Sequence, residues 1–342
     1  MQHEILTAAP LLDQKGDLAE PGWARSLLPV YCRDEIKAGK LRIKEWDYYL
    51  ITDGHIGLAL TIADNGYMGL DSISFLHFDE GWEQTKSPMR LFPRGKTGLP
   101  ETSVDGASEI ARGGYAMAFY HEDDARCLTF HMDNFRGKDA IEGIVRLTDE
   151  PRESIVIATP FDKPKHFYYN QKINCLRAEG WIELGDQRFE LTPDRFFAVL
   201  DWGRGVWTYH NTWYWGSASG LLDGVPFGWN IGYGFGNTAA ASENALFYDG
   251  TLHKLSRVTF EIPQKDGKFD YLAPWKFTSD DNRFYMDFTP VLDRSACMNV
   301  GVLKSDQHQV FGHFTGRVTL DDGTVLPVRD FFGFAERVEN KW

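Results

Sequence analysis

Asp201 and Glu243 are the side chains in this sequence best placed by type and spacing to move a proton. Asp201 ends the run Phe196-Phe197-Ala198-Val199-Leu200-Asp201, where a strand would put Phe197, Val199 and Asp201 on one face and Phe196, Ala198 and Leu200 on the other. Desolvation at the end of an apolar stripe disfavours the ionised carboxylate, which suits a general acid; the nearby Arg204 would favour it again. A structural ion pair between Asp201 and Arg204, closing a barrel end, accounts for the same residues. Glu243 precedes the turn at Asp249-Gly250 and would supply the second carboxylate that acid–base or glycoside chemistry uses, with His253 beyond the turn pointing back toward it. Glu101, in a Gly- and Pro-rich loop, is a third carboxylate, with solvated loop charge as its other explanation.

Aromatic residues crowd the same region. Trp207, Trp213 and Trp215 could be platforms for sugars, rings or isoprenoid chains, or they could fill a core. Tyr168 and Asn230 join them as candidate ligand contacts. In the segment Trp229 to Gly236, Trp229, Ile231, Tyr233 and Phe235 alternate with Asn230, Gly232, Gly234 and Gly236. One strand face is therefore aromatic, and the other is bare enough for a ligand or a second backbone to approach closely. No Gly-Lys-Ser/Thr follows these glycines, which removes a phosphate-cradling loop, and no His-Glu-x-x-His or close cysteine pair suggests a metal. Ser217 and Ser219 lack the Gly-x-Ser-x-Gly elbow of a serine hydrolase. No cofactor and no metal are expected.

The elements that must position these residues are strands. Val310, Gly312, Phe314, Gly316, Val318 and Leu320 alternate with their neighbours and run into a hairpin at Asp321-Asp322-Gly323, and similar punctuation stands at Asp53-Gly54, Gly185-Asp186 and Asp249-Gly250. Further strands are read at Leu58–Ala63, Glu153–Ala158, Phe196–Trp202, Val258–Ile262 and Phe284–Phe288, while Ala107–Arg112 is read as a short helical turn. The fold class is mostly β: a two-lobed antiparallel lipocalin-like barrel or sandwich. Pro151 to Pro164 divides two strand-rich halves, giving an N-terminal lobe at 1–155 and a C-terminal lobe at 156–342 that carries the main site.

Composition narrows the partners. The 342 residues, 43% of them hydrophobic, suffice for a large core, and a net charge of −13 disfavours nucleic acid and anionic membrane surfaces. Four scattered cysteines suggest a reducing, cytoplasmic setting, and no apolar run approaches the ~18 residues of a membrane span. The expected partner is a small-molecule substrate or ligand; oligomeric state is not set by these patterns.

Several motifs in order resemble the domain of unknown function 2804 family, which is placed in the calycin-like group. They are Gly22-Trp23-Ala24-Arg25, the stretch from Trp46 to Asp53, Thr61-Ile62-Ala63-Asp64, Leu200 to Trp207, Ser242-Glu243-Asn244, Asp249-Gly250 with Leu252-His253-Lys254, and Gly333-Phe334-Ala335-Glu336. Thr208 stands where proline, and Phe334 where tryptophan, would be expected. The resemblance implies a fold shared distantly with carotenoid hydratases and pericyclase-like enzymes. By that analogy the expected function is carboxylate acid–base chemistry of hydratase, isomerase or lyase type on a hydrophobic substrate, with Asp201 donating the proton, Glu243 assisting, and Arg204 and His253 tuning them. A carbohydrate-active lyase or glycoside hydrolase, and a non-catalytic lipid or small-molecule binder, are the alternatives.

Overall fold

Alternation of apolar and polar residues becomes two large curled antiparallel sheets in a computed structural model that describes residues 2–300 and 303–341. The first sheet contains β1 (Ile43–Thr52), β2 (Ile56–Asp64), β3 (Met68–His77), β4 (Trp82–Lys86), β5 (Ser108–Arg112), β6 (Tyr115–Glu122), β7 (Ala125–Arg136), β8 (Asp139–Thr148), β9 (Ile155–Pro160), β10 (Phe167–Leu184), β11 (Gln187–Leu191) and β12 (Phe197–Val206). Its main order is β4-β3-β2-β1-β12-β10-β8-β7-β6-β5, and it curls until β4 meets β7. The second contains β13 (His210–Leu222), β14 (Val225–Tyr233), β15 (Ala245–Tyr248), β16 (Thr251–Lys254), β17 (Val258–Glu261), β18 (Trp275–Ser279), β19 (Phe284–Val300), β20 (Leu303–Thr319) and β21 (Val325–Lys341), in the order β16-β15-β14-β13-β21-β20-β19-β18-β17. The mostly β, two-lobed class read from the sequence is the observed one. Among the described residues no helix is long and apolar enough to cross a membrane.

Two expectations change. Ala107–Arg112 is not helical: Ser108–Arg112 is β5, paired with Tyr115–Phe119 across the Gly113-Gly114 turn, because cross-strand partners override a weak local preference. The sheets also do not divide at residue 155. Both β9 and β10 belong to the first sheet, and the change of sheet falls at residues 207–209, between β12 and β13.

Each sheet encloses its own core. Leu60, Ile73, Phe75, Phe135 and Trp202 fill the first, and Trp229, Trp275, Phe277, Phe288 and Phe314 fill the second. A third layer lies between the sheets, where Tyr48, Leu50 and Val199 of the first meet Trp215, Phe311 and Phe334 of the second. Strand β12 is consequently buried on both faces along its whole length. Its even residues Ala198, Leu200 and Trp202 serve the first core, and its odd residues Val199 and Asp201 face the second sheet.

Close packing in this layer depends on glycine at one position. A Cβ on Gly203 of β12 would overlap the indole of Trp46 on β1. Gly203→Ala must displace that ring, and it is expected to lower stability by about 1–3 kcal/mol; urea unfolding of the variant beside the parent protein measures this.

Candidate functional site

The seam between the sheets is not filled. A cavity of about 270 Å³ opens there, walled by aromatic side chains that include Trp46, Tyr168, Trp207, Trp213, Trp215 and Phe235. Trp207 packs edge to face on three of them, 5.2 Å from Trp46, 5.8 Å from Trp213 and 4.7 Å from Phe235 between centroids, while Tyr168 stacks on Trp46 and Trp215 packs against Tyr48 and Phe334. The exposed Ser87, Ser295 and Ala296 mark the mouth, while Lys172, Asp201 and Glu243 lie at the deep end.

Lys172 organises the deep end. It sits on β10 directly across from Asp201 on β12, and its ammonium is 2.8 Å from Asp201 Oδ2 and 3.6 Å from Glu243 Oε2. The same nitrogen stands 3.9 Å from the centre of the Trp215 ring, a cation–π contact. Asn170, two residues earlier on the same strand face, donates from Nδ2 to Asp201 Oδ1 at 2.6 Å and to Trp202 O at 2.8 Å. Both oxygens of Asp201 are thereby occupied.

Glu243 reaches the cluster because β14 carries a glycine opposite it. A Cβ on Gly232 would collide with Glu243 Oε1, and the Gly232 amide donates to Asn244 Oδ1 at 2.6 Å. The bare face of β14 thus admits the segment Ser242-Glu243-Asn244. Asn230, one strand step away, accepts from Trp215 Nε1 at 2.7 Å and donates to Glu243 Oε2 at 3.0 Å. Burial raises the carboxyl pKa of Glu243 above its ordinary value, with Lys172 pulling the other way.

A third carboxyl group completes the site. Glu336 on β21 accepts from Trp213 Nε1 at 2.9 Å and from Gln309 Nε2 at 3.2 Å, and Gln309 also donates to Tyr48 OH at 3.3 Å. Burial pushes its pKa up to about 7, against the opposing pull of the Trp213 bond, Lys172 and Arg294. Burial, with Glu243, Asp201 and Glu336 nearby, likewise holds the phenol of Tyr168 well above its usual value. Among the described residues no group of three or more His, Cys, Asp or Glu side chains is arranged to hold a metal ion.

Asp201, Glu243, Asn230, Tyr168, Trp207, Trp213 and Trp215 therefore gather around one cavity or its polar shell. Arg204, His253 and Glu101 do not. Arg204 points into the first lobe, opposite in parity to Asp201; it pairs with Asp47 at 3.0 Å and donates to Pro100 O and Trp46 O. His253 stands across from Leu246 on the β15–β16 hairpin, with its Nδ1 3.4 Å from Asp321 Oδ2. Glu101 is exposed and accepts from the Arg33 amide at 2.6 Å. Two residues given no role in the sequence analysis hold central places: Lys172, and Glu336, which appears there only at the end of the motif Gly333-Phe334-Ala335-Glu336. Alternation marked both: Tyr168, Asn170, Lys172 and Asn174 share a polar strand face, and Phe332, Phe334 and Glu336 repeat the apolar-to-carboxylate pattern of Phe197, Val199 and Asp201.

Two measurements probe this arrangement. Lys172→Met leaves two buried carboxylates without their cation and is expected to cost about 3–5 kcal/mol of stability in urea unfolding. The second concerns Glu336. Folded, it keeps its proton up to about pH 7; unfolded, it releases it near the ordinary value of 4.5. The folded state binds more protons across that window, so this group's contribution to stability is greatest below pH 4.5 and declines as pH rises to about 7. Glu336→Gln removes that slope, and the urea midpoint of the variant should fall less between these pH values than that of the parent, with Glu243 contributing equally to both.

No curated protein matches the sequence. Solved structures match in fold. A protein provisionally named AttH, from Nitrosomonas europaea, aligns over 96% of this chain and 98% of its own with a TM-score of 0.56 at 13% identity. Kievitone hydratase from Nectria haematococca aligns over 97% of both chains with a TM-score of 0.50 at 10% identity. At such identities the likeness is one of fold. The family model described as domain of unknown function (DUF2804) matches residues 2–342, and the chain belongs to that family.

Proposed function

We propose that the chain is an acid–base enzyme of hydratase type acting on a small, largely apolar molecule held between the two sheets. The observation that carries this reading is the convergence of Glu336, Asp201, Glu243 and Lys172 at an aromatic-walled cavity. Kievitone hydratase, which shares the fold over nearly the whole chain, is by name an enzyme that adds or removes water. That analogy of fold lends support to a hydratase-like reaction and leaves the substrate to be found.

In this reading Glu336 exchanges the proton. With its pKa raised to about 7, it can both give and take a proton near neutrality. For hydration of a carbon–carbon double bond, the Glu336 carboxylic acid protonates one carbon and water forms a bond to the other. The resulting carboxylate then takes a proton from that water, which restores Glu336 and leaves an alcohol. Dehydration is the same sequence reversed. Asp201, the donor expected from sequence, has its two oxygens engaged by Asn170 and Lys172; its role here, with Glu243, is to fix the ammonium.

The carbohydrate reading fits less well. Asp201 and Glu243 share one ammonium, which occupies the space a glycosidic oxygen would need between them. The test is incubation with a panel of isoprenoid, fatty-acid and aryl-substituted alkenes and alcohols, followed by mass analysis for gain or loss of one water. Glu336→Gln is expected to reduce turnover by about 10²–10⁴-fold while ligand binding persists. Full activity in that variant would remove Glu336 from the mechanism, and a bound ligand recovered unchanged from the parent protein would favour a carrier.

A further inference from the structure

Among the described residues Arg294 makes no ion pair although it lines the cavity; Glu336, the nearest acid in the register, stands beyond Gln309 and feels its charge only at a distance. Arg90 is paired with Asp71, Arg204 with Asp47 and Lys172 with Asp201. Arg294 lies on β19 across from Gln309 of β20 and lines the cavity with Ser295 and Gln307. Its neighbour Asp293 turns to the opposite face and bonds His308 at 2.7 Å. Among the described residues no carboxylate forms an ion pair with Arg294, and its Nη1 is shielded from solvent without a hydrogen-bond partner. The chain carries 49 acidic residues against 36 Lys and Arg, so a guanidinium without an ion pair on the wall of this cavity is a specific arrangement.

We propose that Arg294 selects a substrate bearing a carboxylate, pairing with it at the cavity wall while the apolar body lies along the tryptophans toward Glu336. This rests on the cavity being the substrate site. A guanidinium meets a carboxylate through two parallel hydrogen bonds, a geometry that a lone ammonium does not offer. Charge count decides between a carboxylate and a phosphate. The cavity already sets Asp201, Glu243 and Glu336 against Lys172 and Arg294. Any added anion is repelled by the three carboxyl groups, and a dianion about twice as strongly as a monoanion, so a carboxylate is the less opposed partner for Arg294. The apolar walls then require that the remainder of the molecule be aromatic or unsaturated hydrocarbon rather than a polyol.

Calorimetric titration with 3-phenylpropenoate, its carboxamide and phenyl phosphate tests the assignment. The acid is expected to bind at least about tenfold more tightly than the amide, and phenyl phosphate less tightly than the acid. In Arg294→Met the acid-to-amide ratio falls to near unity with the amide's affinity unchanged, and Arg294→Lys retains part of the preference. Equal affinity of acid and amide for the parent protein, a preference that survives in Arg294→Met, or no binding by any of the three overturns the proposal. Should Arg294→Met fail to fold, the parent ratio and Arg294→Lys decide it. An amide that binds as well as the acid removes the role of Arg294 and leaves the cavity as the site. The acid–base reading is judged separately, by gain or loss of water with Glu336→Gln.

Discussion

The ammonium of Lys172 is the interaction on which the seam between the sheets depends. It issues from the first sheet, holds Asp201 of the same sheet, and reaches Trp215 of the second and Glu243 of the segment between β14 and β15. Burying an ammonium and two carboxylates is unfavourable unless each finds partners, and partial satisfaction would be worse than an apolar seam. Asn170 and Asn230 supply the remaining hydrogen bonds, and Gly232 leaves the space that lets Glu243 approach. The polar cluster therefore specifies how the two sheets meet, while the surrounding Tyr48, Leu50, Val199, Phe311 and Phe334 supply hydrophobic burial without directional preference.

That division explains where the cavity lies. Each curled sheet satisfies its own interior, so the outward faces of β1, β10 and β12 must either meet solvent or meet another sheet. Their large apolar residues demand the second course. Two convex faces touch along a line and diverge away from it, and the aromatic side chains from Trp46 to Phe235 bridge part of the gap without closing it. The space that remains has apolar walls near the contact line and hydroxyl and amide groups toward the mouth, among them Ser72, Thr85 and Gln307.

Much of this was legible in the sequence because alternation is a local property. The parity of Phe197, Val199 and Asp201 placed Asp201 correctly on the face away from the first core, and the tryptophans of the same region line the space beside it. The same parity, applied three residues further, puts Arg204 on the opposite face, where it meets Asp47, so nearness in sequence to Asp201 does not make the two a pair. Where His253 points is set by a partner, Asp321, which is 68 residues away and outside any local pattern. Glu336 and Lys172 carry the alternation signal equally well. Their importance comes from long-range pairings of β21 with β13 and β10 with β12, which no local window contains. The boundary between sheets was misplaced for a related reason: the prolines at 151 and 164 are conspicuous, whereas the crossing at 207–209 is marked by no proline or glycine.

The three carboxyl groups at one cavity are chemically unlike, and that inequality matters more than their number. Asp201 has an ammonium at 2.8 Å and a second donor on its other oxygen, so its environment is built around negative charge. Glu336 is buried with hydrogen-bond donors that are both neutral, the indole of Trp213 and the amide of Gln309. Neutral donors stabilise a carboxylate less than a cation does, and burial then dominates, which is why Glu336 retains a proton to about pH 7. Acid–base sites recur where neighbouring carboxyl groups are set apart in environment, and burial among neutral donors leaves Glu336 able to exchange its proton. In this cavity that separation follows from the partners each strand face brings. The strand that carries Asp201 lies beside Lys172, and the strand that carries Glu336 lies beside a tryptophan and a glutamine.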